Sequence, residues 1–531
     1  MSVAEASKSG TRNMNANNEW EKVNQTKKPK KCKKTVGNYF SNGSQLGDII
    51  AAMVKEQDFS AYCRDDFEIA ESWFLDMANH PADGAYLNDN EYMKERLILA
   101  LTYSANCKDG CKLQATINEW LSTKDHCQLE GVTCNNFNKI SEMKMGFKGL
   151  SGNFTMFGMK SLQELNLSWN DLSSTCTVAG ESPNVNEIDL SHNMLADFVG
   201  GQLLTNLDKL YLHHNEFTGK FIITWKDFPP SLKILHLGKN KLRGFTNGGK
   251  YLKNLEFLSF SLNQFSGEFI ITAKDFPTSL KTLSLRYNKI TSFRNGGDIL
   301  KNLLTLDLEQ NDFSGNLIIT QKDFPTSIYS LYLNGNKLTG FSNGGEVLKN
   351  LLILELANNK FAHNFVVTAK NIPTSIERIG LGGNKLTGFI DGGKILTNLE
   401  HLSLQRNLFT DDLTITPNNF PQTLKSLHLH RNKLERIIDA GKFLTKLESL
   451  DLSENSFQGD MLITVDHFPS SLKGLLFDSN SGLTKIDADD DAVLSLDYIT
   501  VRNIASIEVG QELCSRSSSG SLDIYPSNVC S

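Results

Sequence analysis

Leu283-Ser284-Leu285-Arg286-Tyr287-Asn288 and Leu331-Tyr332-Leu333-Asn334-Gly335-Asn336 are two copies of one string, Leu-x-Leu-x-x-Asn. Its closing asparagine recurs at Asn170, Asn193, Asn215, Asn240, Asn263, Asn288, Asn311, Asn336, Asn359, Asn384, Asn407, Asn432, Asn455 and Asn480. From Asn215 onward the steps alternate strictly, 25 then 23 residues. Self-similarity at a period of about 20–29 residues, with leucines at fixed offsets, specifies a solenoid of stacked coils. In Leu-x-Leu both leucines point the same way, because side chains alternate along a strand. They face the core, and the residues between them face solvent. Each coil adds one strand to a parallel sheet, at a spacing of about 4.8 Å. Fourteen asparagine coils and one degenerate coil at each end give about 15–16 coils and a sheet roughly 70 Å long. The asparagine turns inward after the strand. A buried amide is tolerable only when its donors and acceptor are paired. The coils above and below offer backbone groups at the same place each time, so the asparagines are expected to form a ladder.

The repeating unit is a double coil. Pro229, Pro277, Pro325, Pro373, Pro421 and Pro469 stand 48 residues apart, and the pairs Gly248-Gly249, Gly296-Gly297, Gly344-Gly345 and Gly392-Gly393 share that period. One half-unit reads Asn-Lys-Leu-Thr-Gly-Phe, then Asn-Gly-Gly, then Leu-x-Asn-Leu. Leu348 and Leu351 stand three apart, which predicts a short helical turn on the outer side. The other half-unit reads Phe-Ser-Gly-x-Phe-Ile-Ile-Thr, as at Phe265 to Thr272. Its β-branched run favours an extended outer segment, and the proline then fixes φ as the chain turns back. The string and its period resemble the leucine-rich-repeat family. That resemblance implies an α/β solenoid, a right-handed coil with a parallel concave β-sheet.

The chain has 531 residues and a net charge of −6, unevenly spread. Residues 1–40 carry nine Lys/Arg and three Glu, so the remainder is acidic. An acidic solenoid argues against nucleic-acid binding by the solenoid. No apolar run reaches the about 18 residues that a transmembrane helix needs. Met1 to Lys8 lacks the apolar core of a signal peptide, which favours the cytoplasm. The cysteines favour an extracellular or cell-surface location. Cys107, Cys111, Cys127, Cys134, Cys514 and Cys530 fall in the two end regions, and among the regular coils only Cys176 occurs. Cysteines confined to the ends suggest disulfides closing the solenoid. The two signals conflict and leave the compartment open.

Residues 1–45 form a polar, basic tail expected to be disordered. Its cluster Lys27-Lys28-Pro29-Lys30-Lys31-Cys32-Lys33-Lys34 could touch an anionic membrane or serve as an address, or simply be solvated. Residues 46–106 carry amphipathic spacing at Phe67 to Ala78 and Tyr92 to Tyr103. They form a helical N-terminal extension that hides the first coil's apolar edge. Residues 107–150 form a cap, 151–480 the solenoid and 481–531 a second cap. In the first cap, Trp120-Leu121 is followed by Cys127-Gln128-Leu129-Glu130-Gly131-Val132-Thr133-Cys134 and then by Gly149-Leu150-Ser151-Gly152. This succession resembles the plant-type leucine-rich-repeat N-terminal domain, whose pattern is Trp, then Cys-x-Trp-x-Gly-Val-x-Cys, then a first coil ending Leu-x-Gly. The upstream Lys94-Glu95-Arg96 and Ala100-Leu101-Thr102-Tyr103 are similar to the helix before that motif in microalgal members. Leu129 stands where the family has Trp, and Cys107-Lys108-Asp109-Gly110-Cys111 replaces its Gly-Asn-Trp loop. The coils carry Phe-Ile-Ile-Thr where plant members carry Ile-Pro. The resemblance covers the cap and the solenoid. It implies a receptor-like or polygalacturonase-inhibitor-like protein that binds a protein, peptide or glycan.

The solvent-facing strand positions gather three patches. Tyr211, His213 and His236 lie together, with Asp189 one coil earlier; Arg286, Asp307, Glu309 and Tyr332 follow; His401, Gln405, His428 and His430 form the third, with Asp451 on the next coil. Aromatic, histidine and arginine side chains on a rigid sheet are the usual material of binding hot spots. His428-x-His430 with Asp451 also has metal-ligand character. No second shell is visible in the sequence, so no metal and no cofactor is assigned. Asp487, Asp489, Asp490 and Asp491 suggest calcium, but an EF-hand loop needs Gly and Glu where Ala492 and Tyr498 stand. A solvated acidic turn is the better reading. The sequons at Asn24, Asn42, Asn153 and Asn166 are no more than an Asn-rich chain gives by chance. Phosphate-loop and protein-kinase motifs are missing, which points away from an enzyme. The first expectation is therefore a non-catalytic recognition module that uses the concave face. An intracellular scaffold docking through the basic tail is the alternative. A third class is an adhesive or ice-binding surface built on the ladder Thr224, Thr272, Thr320, Thr368, Thr416 and Thr464. Oligomeric state is not legible.

Overall fold

The computed structural model describes residues 95, 99, 125–156, 158–489, 496–504, 507–518 and 522–525. The basic tail, the helical extension apart from Glu95 and Leu99, and Cys107, Cys111 and Cys530 lie outside the described residues. So do Asp490 and Asp491. The described chain is a solenoid around an 18-stranded sheet. Its first strand, Val132–Cys134, is antiparallel to Ile140–Lys144. Every later strand is parallel to the one before it, from Glu164–Asn166 on Ile140–Lys144 to Asp523–Tyr525 on Tyr498–Thr500.

Leucine meets leucine in the register. Leu283 pairs with Leu258 on one side and Leu306 on the other. All three are fully buried, as are the second leucines Leu285 and Leu308. One alternation thus fills the core continuously along the axis. Leu99 joins this core at the N-terminal end, and the Glu95 carboxylate accepts the Ile140 N–H at 3.0 Å. The sheet also runs one strand further than the repeat predicts. Tyr498–Thr500, around Ile499, is followed by Asp523–Tyr525, which has lost the Leu-x-Leu signature.

The asparagine ladder is present in full, and it is directional. The Asn311 amide donates to the Leu285 carbonyl of the preceding coil at 3.0 Å. It also donates to Leu308 and Glu309 of its own coil, each at 3.1 Å. Its Oδ1 accepts the Ile290 N–H of the preceding coil at 3.0 Å. The donation backward recurs at all fourteen asparagines. So does the acceptance. Each carboxamide therefore clamps its coil to the one before it and leaves none of its own groups unpaired, as burial requires.

The outer side departs from expectation. Both half-units are extended there. Ser266–Ile270 pairs in parallel with Lys289–Arg294, with a bulge at Gly267/Glu268. The same two-stranded pairing recurs at Ser314–Ile318 with Lys337–Ser342. Lys-Leu-Thr-Gly-Phe is a strand because its buried residues, Leu338 and Phe341, cover the core on either side of a bulge. The helical turn does occur, but earlier, at Gly296–Ile299 and Gly344–Val347. Leu348 and Leu351 are joined by a separate turn in which the Leu351 N–H reaches the Leu348 carbonyl at 3.0 Å. The double glycine is needed because the coils touch here. A Cβ on Gly297 would overlap the Gln321 carbonyl of the next coil.

Thr224, Thr272 and Thr320 each donate to an aspartate three residues on, Asp227, Asp275 and Asp323. Their oxygens, like those of Thr368 and Thr416, also accept the N–H of that residue. Five of the six threonines thus close turns, and three of them, Thr224, Thr272 and Thr320, also spend the hydroxyl proton there.

Replacing Asn311 with leucine strands the Ile290 N–H, while the carbonyls of Leu285 and Leu308 each lose one of two donors and keep Asn288 and Asn336. The expected cost is about 1–3 kcal/mol in chemical denaturation, since a buried unsatisfied group costs that much. An unchanged midpoint would count against the ladder as the clamp between coils.

Candidate functional site

The strand faces bring the first patch together. Asp189 is the register partner of Tyr211, and Tyr211 of His236. His213 lies two residues along the chain, with its ring 4.3 Å from that of His236. Burial, then the His236 charge, push His213 down to about 4. Its Nδ1 is buried with no hydrogen-bond partner among the described residues. His236 is lowered by the same cause, burial, with Asp189 opposing.

Beside this patch lies a feature the sequence reading missed. Phe147, Trp169, His192 and His214 stack in a row, with successive ring centroids 5.1, 3.6 and 3.8 Å apart. Each has positive φ, between 54° and 59°. Trp169, His192 and His214 immediately precede ladder asparagines, so the left-handed turn that delivers the asparagine inward also aims these rings outward. Phe147 is 63% and Trp169 49% exposed. The signal was available as the residue before each asparagine, a position that the Leu-x-Leu argument does not inspect. Burial, then His192 and Lys239, push His214 down to about 4. His192 is also lowered, by burial first. The four imidazoles with the tryptophan and phenylalanine form one platform that is uncharged on its histidines at neutral pH.

The second patch is more polar. Arg286 lies 3.5 Å from Glu309 and packs over the Tyr287 ring at 4.9 Å. Asp307 accepts the Ser284 hydroxyl at 2.9 Å and the Glu309 N–H at 3.1 Å. Tyr332 is the register partner of Asp307 on one side and Glu355 on the other. Burial raises both Glu309 and Glu355; Arg286 opposes it for the first and Arg378 for the second.

In the third patch, His401 pairs in register with Ser426, and Ser403 with His428. Gln405 accepts the Ser403 hydroxyl. Asp451 lies opposite His428 in register, and its Oδ2 is 2.8 Å from His430 Nδ1. Burial would raise the Asp451 pKa, but the facing imidazoles of His428 and His430 and the Ser453 N–H outweigh it and hold the carboxyl well below the usual range.

Elsewhere, Cys127 and Cys134 are disulfide-bonded, so their sulfurs are not available as thiolate ligands beside His126. Cys514 is also disulfide-bonded. Cys176 is free and buried, and burial pushes its thiol up to about 12. The string Gly340-Phe341-Ser342-Asn343-Gly344 has the spacing of a hydrolase nucleophile elbow. It is instead a copy of the repeat, at the end of the strand Lys337–Ser342. The Ser342 hydroxyl donates to Asn316 at 2.8 Å, not to a histidine.

The family model for the leucine-rich repeat matches residues 158–175. With the leucine register and the asparagine ladder, this decides the architecture. The fold is that of a leucine-rich-repeat protein. No curated protein matches the chain. Among solved structures, it is similar to a leucine-rich-repeat protein of Leptospira interrogans, at 20% identity over 72% of this chain and 94% of that one, TM-score 0.39. It is also similar to the functional domain of InlJ from Listeria monocytogenes, at 19% identity over 65% and 69%, TM-score 0.45. A third is the ectodomain of the Arabidopsis receptor kinase HAESA, solved with a peptide hormone ligand, at 17% identity over 79% and 86%, TM-score 0.36. Among the described residues no helix is long and apolar enough to cross a membrane.

The histidine platform of this repeat protein makes a pH-dependent contribution to stability. The folded pKa values of His213 and His214, about 4, lie below the unfolded value of about 6.5. As pH falls the unfolded chain takes up protons first, so this contribution is intact above about 6.5 and lost between there and about 4. The melting temperature should fall across that window, and less so in His213→Gln. Equal slopes in variant and parent would contradict the assignment.

Proposed function

We propose that this chain is a non-catalytic recognition module that binds a protein, peptide or glycan partner on the concave face of its long sheet. The observation that carries this reading is the platform from Phe147 to His236. Two exposed aromatic rings, Phe147 and Trp169, continue into the half-buried imidazoles of His192, His214, His213 and His236 in one contacting cluster. Rings fixed by stacking lose little freedom on binding, which makes them good anchors. The acidic second patch, centred on Tyr332 between Asp307 and Glu355, adds a polar neighbour that would select the partner's charge.

The test is a screen of peptide and glycan arrays with the full chain, followed by variants on both faces. Ligands found with the parent are expected to bind at least tenfold more weakly to Trp169→Ala or Tyr332→Ala. Binding should persist in Ile270→Ser, on the opposite side. Hits that ignore the first two changes and vanish with the third would move the site to the outer face.

A further inference from the structure

We propose that His428, His430 and Asp451 form a binding site for a divalent transition-metal ion, zinc by the chemistry of its donors. The three are partly buried on one strand face, with side chains 42%, 27% and 15% exposed. One ligand atom from each lies within 4.8 Å of the others. His428 Nδ1 is 4.0 Å and His430 Nδ1 2.8 Å from the same Asp451 oxygen. Zinc bonds of about 2.0–2.2 Å at tetrahedral angles set two ligand atoms roughly 3.3 Å apart. The two observed separations bracket that value, and the third pair of ligand atoms lies within 4.8 Å.

Two of the three ligands are held from behind by hydrogen bonds. Ser426 Oγ is hydrogen-bonded to His428 Nε2 at 2.9 Å, which fixes the ring and leaves Nδ1 toward Asp451. The other Asp451 oxygen accepts the Ser453 N–H at 3.1 Å, which leaves Oδ2 for the ion. Such partners orient metal ligands, and the Ser426 hydroxyl can accept the Nε2 proton when Nδ1 binds an ion. Two imidazoles and one carboxylate suit zinc rather than calcium or magnesium, which prefer all-oxygen surroundings. Three protein ligands leave a fourth position open, at the surface where water or a partner's side chain can enter. This site does not depend on the recognition reading above.

Isothermal titration of the chelator-stripped full chain with zinc chloride tests it. The parent is expected to bind one equivalent, and Asp451→Asn and His430→Ala to bind at least tenfold more weakly. His363→Ala, on the outer strand Ala362–Val366, should bind like the parent. Melting curves recorded in chelator check that the variants fold. Asp451→Asn keeps the side-chain size, so a loss of binding there with an unchanged melting curve is a loss of ligand. Failure of the parent to bind an equivalent of zinc, or variants that bind as the parent does, would overturn the site.

Discussion

A single buried carboxamide ties each coil to the one before it, and everything else in this molecule rests on that repeated clamp. The strands of the long sheet are mostly three residues long, so each pair contributes few ladder bonds. The asparagine supplies further bonds at the point where the strand ends, two of them across to the preceding coil. Because both cross-coil bonds point backward, register is passed along the axis coil by coil. A leucine in the core sets how deep a coil sits; the asparagine sets where it sits along its neighbour.

The same turn builds the surface. To bring the asparagine inward, the preceding residue takes a left-handed conformation, and its side chain is thrown outward. Near the N-terminal end these residues are Trp169, His192 and His214, which stack on one another and on Phe147, itself left-handed. Further along they become Tyr287, beneath Arg286, and Arg431, paired with Glu454 at 2.7 Å. The residue displayed by this turn therefore changes from coil to coil, while the scaffold beneath stays constant. That is the arrangement expected when selection acts on a surface and not on a buried catalytic centre. On the outer side the threonines, aspartates and double glycines are spent on turns and close packing between coils.

The period, the core leucines and the asparagine ladder were legible because each follows from a single-residue rule repeated many times. Side-chain alternation likewise gives the strand neighbours seen in the register, such as Tyr211 with His236 and His428 with Asp451. What escaped the sequence depends on contacts between coils. Lys337–Ser342 is a strand because its partner is the previous coil's Ser314–Ile318, a pairing with no local signal. The stack from Phe147 to His214 needs the positive φ of a turn that the repeat implies but does not spell out. The strand Asp523–Tyr525 carries no leucine pair. The His428, His430 and Asp451 cluster, with Ser426 and Ser453 bonded behind it, is drawn from two coils.

Amide hydrogen exchange on the folded chain tests the clamp most directly. The N–H groups of Phe265, Ile290 and Phe313 lie outside the long sheet, yet each donates to the ladder asparagine of the following coil. They are predicted to exchange as slowly as the strand amides of Leu283 and Leu306. Exchange at the rate of exposed turn residues would show that the asparagines do not hold the coils together.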